Sequence, residues 1–263
     1  MTNSLARPSY SEFGLFVQQV ARAAGHVLRE RFPQPREIFS KGVQDIVTDA
    51  DFAAQQTIVD LIRSRYPDAA ILSEEGIEPP PEARLIWVLD PLDGTSNYAR
   101  RVPTFSTSIA VVQDGQPVIG AIYDPMRDLL FAAEIDRDAT LNAEPIHASE
   151  AADISESIVG LDWGRGAEVR VMALDWLHRA GMQCKTIRAI GSSALGLCYI
   201  AAGWIDVYYH AALKPWDGAA GQIIAQEAGV QLFNFDRSPW NYTEATCIAC
   251  CPRLVDWTLA SLA

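Results

Sequence analysis

The stretch Leu85–Tyr98, Leu-Ile-Trp-Val-Leu-Asp-Pro-Leu-Asp-Gly-Thr-Ser-Asn-Tyr, limits what this chain can become more than any other. It opens with Leu85–Leu89, a short apolar run that predicts a buried strand. Asp90 follows at the carboxyl end, where open α/β sheets bind their ligands. Pro91 has no N–H and a fixed φ, so the sheet ladder is expected to stop there. Asp93 follows close behind, with Gly94 after it. A tight turn would bring both carboxylates and the Leu92 carbonyl to one side, and hard oxygen ligands of that kind suit Mg²⁺. Gly94 and Thr95 then open a helix whose free N–H groups can seat a phosphate. The same residues also fit a strand, an Asx-type turn and a helix cap with no ligand, so alone they leave both readings open.

Of the 263 residues, 49% are apolar, enough for a substantial core. The net charge of −12 shows no basic footprint, which argues against a nucleic-acid partner. A solvated acidic surface accounts for most of that excess, and carboxylates neutralised by bound cations would account for the rest. The five cysteines include Cys247-x-x-Cys250, with no second such pair to complete a zinc site. Thr246–Cys251 reads better as a buried strand in which cysteine acts as a small hydrophobe. This usage fits a reducing, cytoplasmic setting. The N-terminus carries no charged segment followed by an apolar one, and no apolar run has membrane-spanning length, so no membrane association is expected.

Apolar spacing predicts a helix over Ser11–Phe32 with Ser11 as N-cap, ended by Pro33 and Pro35. Lys41–Asp51 reads as a charged turn, with Thr48 or Asp49 capping a helix from Phe52 to Tyr66. Ala69–Gly76 is a short strand running into Ser73-Glu74-Glu75, glutamates that on their own read as solvated. Phe105–Gln113 and Gln116–Ala121 form a hairpin around Asp114-Gly115. Leu129–Glu134 adds a strand. If Asn142-Ala143 sits in a type I′ turn, Ala143 needs φ > 0 and carries some strain. Ile158–Leu161 opens a second half, followed by a helix over Val169–Ala180. Gly191, Ser192 and Ser193 predict the start of a helix, with amides free to meet an anion. An ordinary serine cap is the other reading. Val207–Tyr209 is a strand, Asp217 begins a helix of small residues, and strands at Val230–Phe233 and Cys247–Ala249 precede a last helix, Leu254–Leu262.

The string Trp87–Tyr98 resembles the inositol monophosphatase family, the Mg²⁺-dependent, lithium-sensitive type of phosphatase related to fructose-1,6-bisphosphatase. Further segments carry the resemblance in the family's order. They are Asp45-Ile-Val-Thr-Asp-Ala-Asp51, Ser73-Glu74-Glu75, Leu141-Asn-Ala-Glu-Pro-Ile with Ser149, and Trp216-Asp217-Gly-Ala-Ala-Gly221. Ser73 and Ala143 stand where the family often has glycine. The resemblance covers nearly the whole chain and implies a layered αβαβα fold. Residues 1–150 would form an α+β half carrying most metal ligands, and residues 151–263 an α/β half completing the site.

The resemblance implies Glu74, Asp90, Leu92 (through its carbonyl), Asp93 and Asp217 as ligands of two or three Mg²⁺ ions. It implies Thr95, Asp51 and Glu74 as the groups that act on water. Substrate contacts would come from Asp93, Gly94, Thr95, Gly191, Ser192, Ser193, His210 and Asp217. Relatives that hydrolyse inositol phosphates have an acidic residue at the position of His210, so the imidazole is a departure, unless it simply fills a strand end. The expected partner is a small phosphorylated metabolite: an inositol phosphate, fructose 1,6-bisphosphate, histidinol phosphate or a phosphorylated nucleotide. A homodimer is common among the relatives. Two alternatives compete. A non-catalytic regulatory protein on the same fold would be expected to lack a ligand. A haloacid-dehalogenase-like phosphatase needs Asp-x-Asp-Gly-Thr, and the extra residue in Asp90-x-x-Asp93-Gly-Thr displaces the first carboxylate.

Overall fold

The computed structural model describes residues 10–42 and 45–262; the start of the chain, and Val43 and Gln44 within the Lys41–Asp51 string, lie outside them. In chain order the elements are α1 (Glu12–Arg31), β1 (Ile38–Gly42), β2 (Asp45–Thr48), α2 (Asp49–Arg65), β3 (Ala70–Ser73), β4 (Leu85–Asp93) and α3 (Thr95–Ala99). There follow β5 (Ser106–Gln113), β6 (Gln116–Asp124), β7 (Leu129–Glu134), β8 (Thr140–Leu141) and β9 (Glu144–Pro145). The second part holds β10 (Ile158–Leu161), α4 (Ala167–Ala180), β11 (Thr186–Ala189), α5 (Ser193–Ala201), β12 (Val207–His210), α6 (Pro215–Glu227), β13 (Gln231–Phe233), β14 (Cys247–Cys250) and α7 (Val255–Ser261).

These elements stack in five layers. Strands β3 to β9 make a seven-stranded sheet in sequence order, parallel only between β3 and β4. Five strands in the order β11-β10-β12-β14-β13 make the other sheet. Helices α1 and α2 cover one face of the larger sheet, where Val20, Ala24 and Ile58 pack with Trp87, Ile109 and Tyr123. Helices α5 and α6 fill the space between the sheets, with Leu197 and Ile223 buried among Val88, Ile122, Tyr208 and Ala249. Helix α4 and the chain end close the far side, where Trp176 and Leu254 meet Val159, Tyr209 and Ile248. The small residues of α6 permit the tight spacing: a Cβ on Gly120 would lie 2.7 Å from the Ala220 carbonyl. The five cysteines are unpaired, and Cys247 and Cys250 are buried on β14 as small hydrophobes. No helix among the described residues is long and apolar enough to cross a membrane.

Three local outcomes differ from the sequence expectations. Strand β4 does not stop at Pro91. Its pairing with β5 jumps from Asp90↔Ser108 to Asp93↔Ser106, a bulge that absorbs the missing N–H and lets the strand run on to Asp93. Lys41 does not lie in a simple charged turn, because β1 and β2 pair as an antiparallel hairpin. Strand β11 was not anticipated; its parallel pairing with β10 makes it an edge strand with little apolar pattern to read. Both turn expectations hold, with φ of 51° and 79° at Asp114 and Gly115, and 50° and 67° at Asn142 and Ala143.

Candidate active site

The bulge in β4 positions the first two acids. Asp90 is 1% exposed at the end of the regular ladder. Asp93 emerges two positions beyond Pro91, and Gly94 takes φ 93° to turn the chain into α3. Asp217 arrives from the first turn of α6, with Oδ2 accepting from Lys214 N at 2.8 Å. Carboxylate oxygens of Asp90, Asp93 and Asp217 all lie within 4.8 Å of one another. Burial pushes Asp90 well above the usual carboxylate range, and the charges of Glu74, Asp93 and Asp217 push it further. Asp217 is raised in the same way, first by burial and then by Asp93. Asp93 is also raised by burial, although hydrogen bonds from Ser192, Ala194 and Ser193 hold it back.

Glu74 lines the same cavity but is not in that tight cluster; its Oε1 lies 3.2 Å from Lys41 Nζ, which also pairs with Glu75 at 2.6 Å. Leu92 lines the cavity, and its carbonyl accepts from Thr95 Oγ1 at 3.0 Å. Thr95 Oγ1 also lies 3.3 Å from Asp51 Oδ1. Thr48 caps α2, and its N–H and hydroxyl both donate to Asp51 Oδ2, at 2.8 and 2.6 Å. Burial pushes the Asp51 carboxyl up to about 7 against those two bonds. Thr95, Asp51 and Leu92 are thus one connected unit, tied to the acids by a single turn of chain. Asp49 does not line the cavity; it pairs with Arg31 at 2.8 Å.

The start of α5 is placed differently from expectation. Its amides do not face an open anion site, because carboxylates of the protein already take them. Gly191 N donates to Asp162, Ser193 N to Asp93 Oδ1 at 3.1 Å and Ala194 N to Asp93 Oδ2 at 3.0 Å. Ser192 Oγ donates to Asp93 as well and caps the helix through Leu195 N. Gly191 and Ser193 line the cavity. His210, at the end of β12, is 6% exposed and also lines it, with Nε2 3.3 Å from Ser193 Oγ. Burial pushes its imidazole down to about 4.

Sequence reasoning missed Asp162, which stands at the carboxyl end of β10 as Asp90 does near the end of β4. That position was a readable signal. It is buried, and burial pushes it up to about 6 against a hydrogen bond from Tyr208. Asn97 was part of the central string but had no role assigned; its Nδ2 reaches the carbonyls of Thr104, Ile190 and Gly191. Lys41 gave no signal, since it sits on an exposed hairpin. Arg165 pairs with Asp45, linking β2 to the loop after β10, and both line the cavity.

The cavity has a volume of about 670 Å³. Three crowded carboxylates in its lining repel one another, with Arg165 only partly offsetting the charge of Asp217, and their oxygen-only donor set fits hard divalent ions.

Comparison with known proteins agrees with this arrangement. The model of the inositol monophosphatase family matches residues 10–263. A protein of Escherichia coli K12 named Nus factor SuhB is 35% identical over 250 residues, covering 93% of each chain. The crystal structure of the extragenic suppressor protein SuhB from Bartonella henselae superposes with a TM-score of 0.92 at 27% identity, covering 96% of this chain and 98% of that one. The Thermotoga maritima IMPase structure matches with a TM-score of 0.89 at 31% identity, covering 96% and 97%.

Proposed function

The chain belongs to the inositol monophosphatase family, and from that premise we propose that it is a Mg²⁺-dependent phosphate monoester hydrolase in which water attacks phosphorus directly. The observation that carries this is the triplet of Asp217 with the buried Asp90 and Asp93, beside a threonine wired to Asp51. Glu74, Asp90 and the Leu92 carbonyl would hold one ion; Asp90, Asp93 and Asp217 would hold a second. When bound, the ions supply Lewis acidity toward the phosphoryl and leaving-group oxygens and lower the pKa of water. Thr95 has one hydroxyl proton and two acceptors in reach, Leu92 O and Asp51, so its lone pairs stay open to an incoming water. Asp51 orients that hydroxyl and can take up charge from it. The amides of Gly94 and Thr95 are the candidates for holding phosphoryl oxygens. No carboxylate has to become phosphorylated. A phosphate-release screen over inositol 1-phosphate, fructose 1,6-bisphosphate, histidinol phosphate and phosphorylated nucleotides tests the reading; full turnover in excess EDTA ends it.

One observation favours a second reading. The relatives at 35% identity are named Nus factor, and on this reading the chain acts as a Nus factor, by binding partners rather than by hydrolysis. The retained acids favour hydrolysis, and the net charge of −12 favours a protein over a nucleic-acid partner. Asp90→Asn separates the two, since it should abolish phosphate release and leave a binding role intact. On either reading a cytoplasmic setting is proposed.

A further inference from the structure

We propose that Asp162 and Asn97 form a two-sided clamp on the Ile190–Gly191 turn that orients Asp93 for its cation. This rests on the reading of Asp93 as a metal ligand. Asp162 Oδ1 accepts from both amides of the turn, Ile190 N at 3.1 Å and Gly191 N. Asn97 Nδ2 lies 3.3 Å from Ile190 O and 3.1 Å from Gly191 O, and is itself anchored on Thr104 O at 2.8 Å. One side chain therefore holds the N–H groups of the turn and the other holds its carbonyls. Asp162 directly follows β10 of the smaller sheet and Asn97 lies in α3, after β4 of the larger one, so the clamp also ties the two sheets together at the cavity.

The turn leads directly into the residues that bind Asp93. Gly191 has φ 75°, and a Cβ there would lie 2.6 Å from Asn97 Nδ2. The next three residues bring Ser192 Oγ, Ser193 N and Ala194 N onto Asp93. Ser106 Oγ approaches the same carboxylate at 3.3 Å. A carboxylate accepts about four hydrogen bonds. The two amides are fixed by the backbone, one on each oxygen, and set the plane of the group. Both hydroxyls crowd Oδ2 beside Ala194 N, whereas Oδ1 accepts only from Ser193 N and keeps a lone pair open to a cation. If the turn is released, the amides move, and Asp93 no longer points that lone pair toward Asp90 and Asp217.

The test is Mn²⁺ binding to metal-free protein without substrate, read by electron paramagnetic resonance and by calorimetry. Asp162→Ala and Asn97→Ala should each weaken binding about tenfold or more, the range for groups that orient a metal ligand. Asp162→Asn keeps an acceptor for the amides and should recover most of the affinity. Tyr208→Phe removes the third hydrogen bond to Asp162, 2.6 Å long, without touching the turn. It should lower thermal stability and leave Mn²⁺ affinity near wild type. If Asp162→Ala does not fold, Asn97→Ala carries the same expectation from the other face. Wild-type affinity in Asn97→Ala or in a folded Asp162→Ala overturns the clamp, as does an equal loss in Tyr208→Phe. Failure of the wild-type protein to bind Mn²⁺ would instead refute the metal reading on which the clamp rests.

Discussion

Ala212 N donates to His210 Nδ1 at 3.0 Å. Only an unprotonated ring nitrogen can accept that bond, so the neutral imidazole carries its proton on Nε2. Burial pushes the ring down to about 4, which keeps it neutral at ordinary pH. The Nε2–H therefore donates to Ser193 Oγ at 3.3 Å, and His210 offers the cavity no acceptor. A carboxylate at this position would offer acceptors instead. Substrate hydroxyls that need an acceptor lose one here, so inositol 1-phosphate is expected to be a poor substrate. His210→Glu should shift the ratio of kcat/KM values toward it by about 1.5–3 kcal/mol, the scale of a hydrogen bond to a charged group. Activity on p-nitrophenyl phosphate should hardly change. An unaltered substrate ranking in the variant would remove His210 from specificity.

Asp90→Asn and Asp217→Asn should each lower kcat by at least about a hundredfold, the scale of losing a charge-stabilising group at a reacting centre. Their stability should move the other way. Asp90 is held among Glu74, Asp93 and Asp217, and removing its charge relieves repulsion in the metal-free protein. In EDTA the Asp90→Asn protein should melt above wild type, and added Mg²⁺ should stabilise it less. Scanning calorimetry with and without Mg²⁺ reads both effects. A metal-free variant that melts lower, with Mg²⁺ stabilisation unchanged, would mean that Asp90 is a structural cap and not a ligand.

The parts of the site that read well from sequence were those where one residue type had to do an unusual job. Asp90 stands at the end of a buried strand, and Asp217 in the first turn of a helix that must be made of small residues to fit between sheets. The family resemblance then supplied the layering, because periodicity cannot tell which of two sheets a helix covers. The amides of α5 were misread for a related reason. Ser192 and Ser193 announce a helix start, but nothing local says that Asp93, 100 residues from Ser193, already occupies it. The bulge at Pro91 was hidden likewise, since the pairing of Asp93 with Ser106 is a property of two strands. Asp162 differs: its placement was visible, but its partners on the Ile190–Gly191 turn were not.

Ala143 adopts φ 67° in the turn between β8 and β9. A left-handed conformation costs an alanine roughly 1–2 kcal/mol, whereas glycine tolerates it. Glycine also gains about 0.4–1 kcal/mol of freedom in the unfolded chain, which offsets part of the relief. Ala143→Gly should therefore stabilise the protein by on the order of 0.5 kcal/mol, with no change in kcat, because the turn lies on a different surface from the acidic cavity. Urea melts of the two proteins decide it, and a clear loss of stability would show that the Ala143 methyl makes a contact outweighing the strain.

The buried acids also set how stability depends on pH. Burial raises Asp51 to about 7 and Asp162 to about 6, and it raises Asp90, Asp93 and Asp217 as well. Between about pH 4, where unfolded carboxylates titrate, and about 7, the folded metal-free protein holds protons that the unfolded chain releases. Stability then falls as pH rises through that window. His210 acts oppositely. Its folded value near 4 lies below the unfolded one near 6.5, so its contribution is present above about pH 6.5 and lost as pH drops toward 4. Five raised carboxylates outweigh one lowered imidazole, so in EDTA the melting temperature should decrease from about pH 5 to about 7. Excess Mg²⁺ should flatten or reverse that slope, because the cation binds the deprotonated acids and binding releases their protons. Melting curves across this range in EDTA and in Mg²⁺ measure both slopes. A metal-free melting temperature that climbs with pH would mean that these acids are ionised in the empty site, and that the cluster does not need a cation to fold.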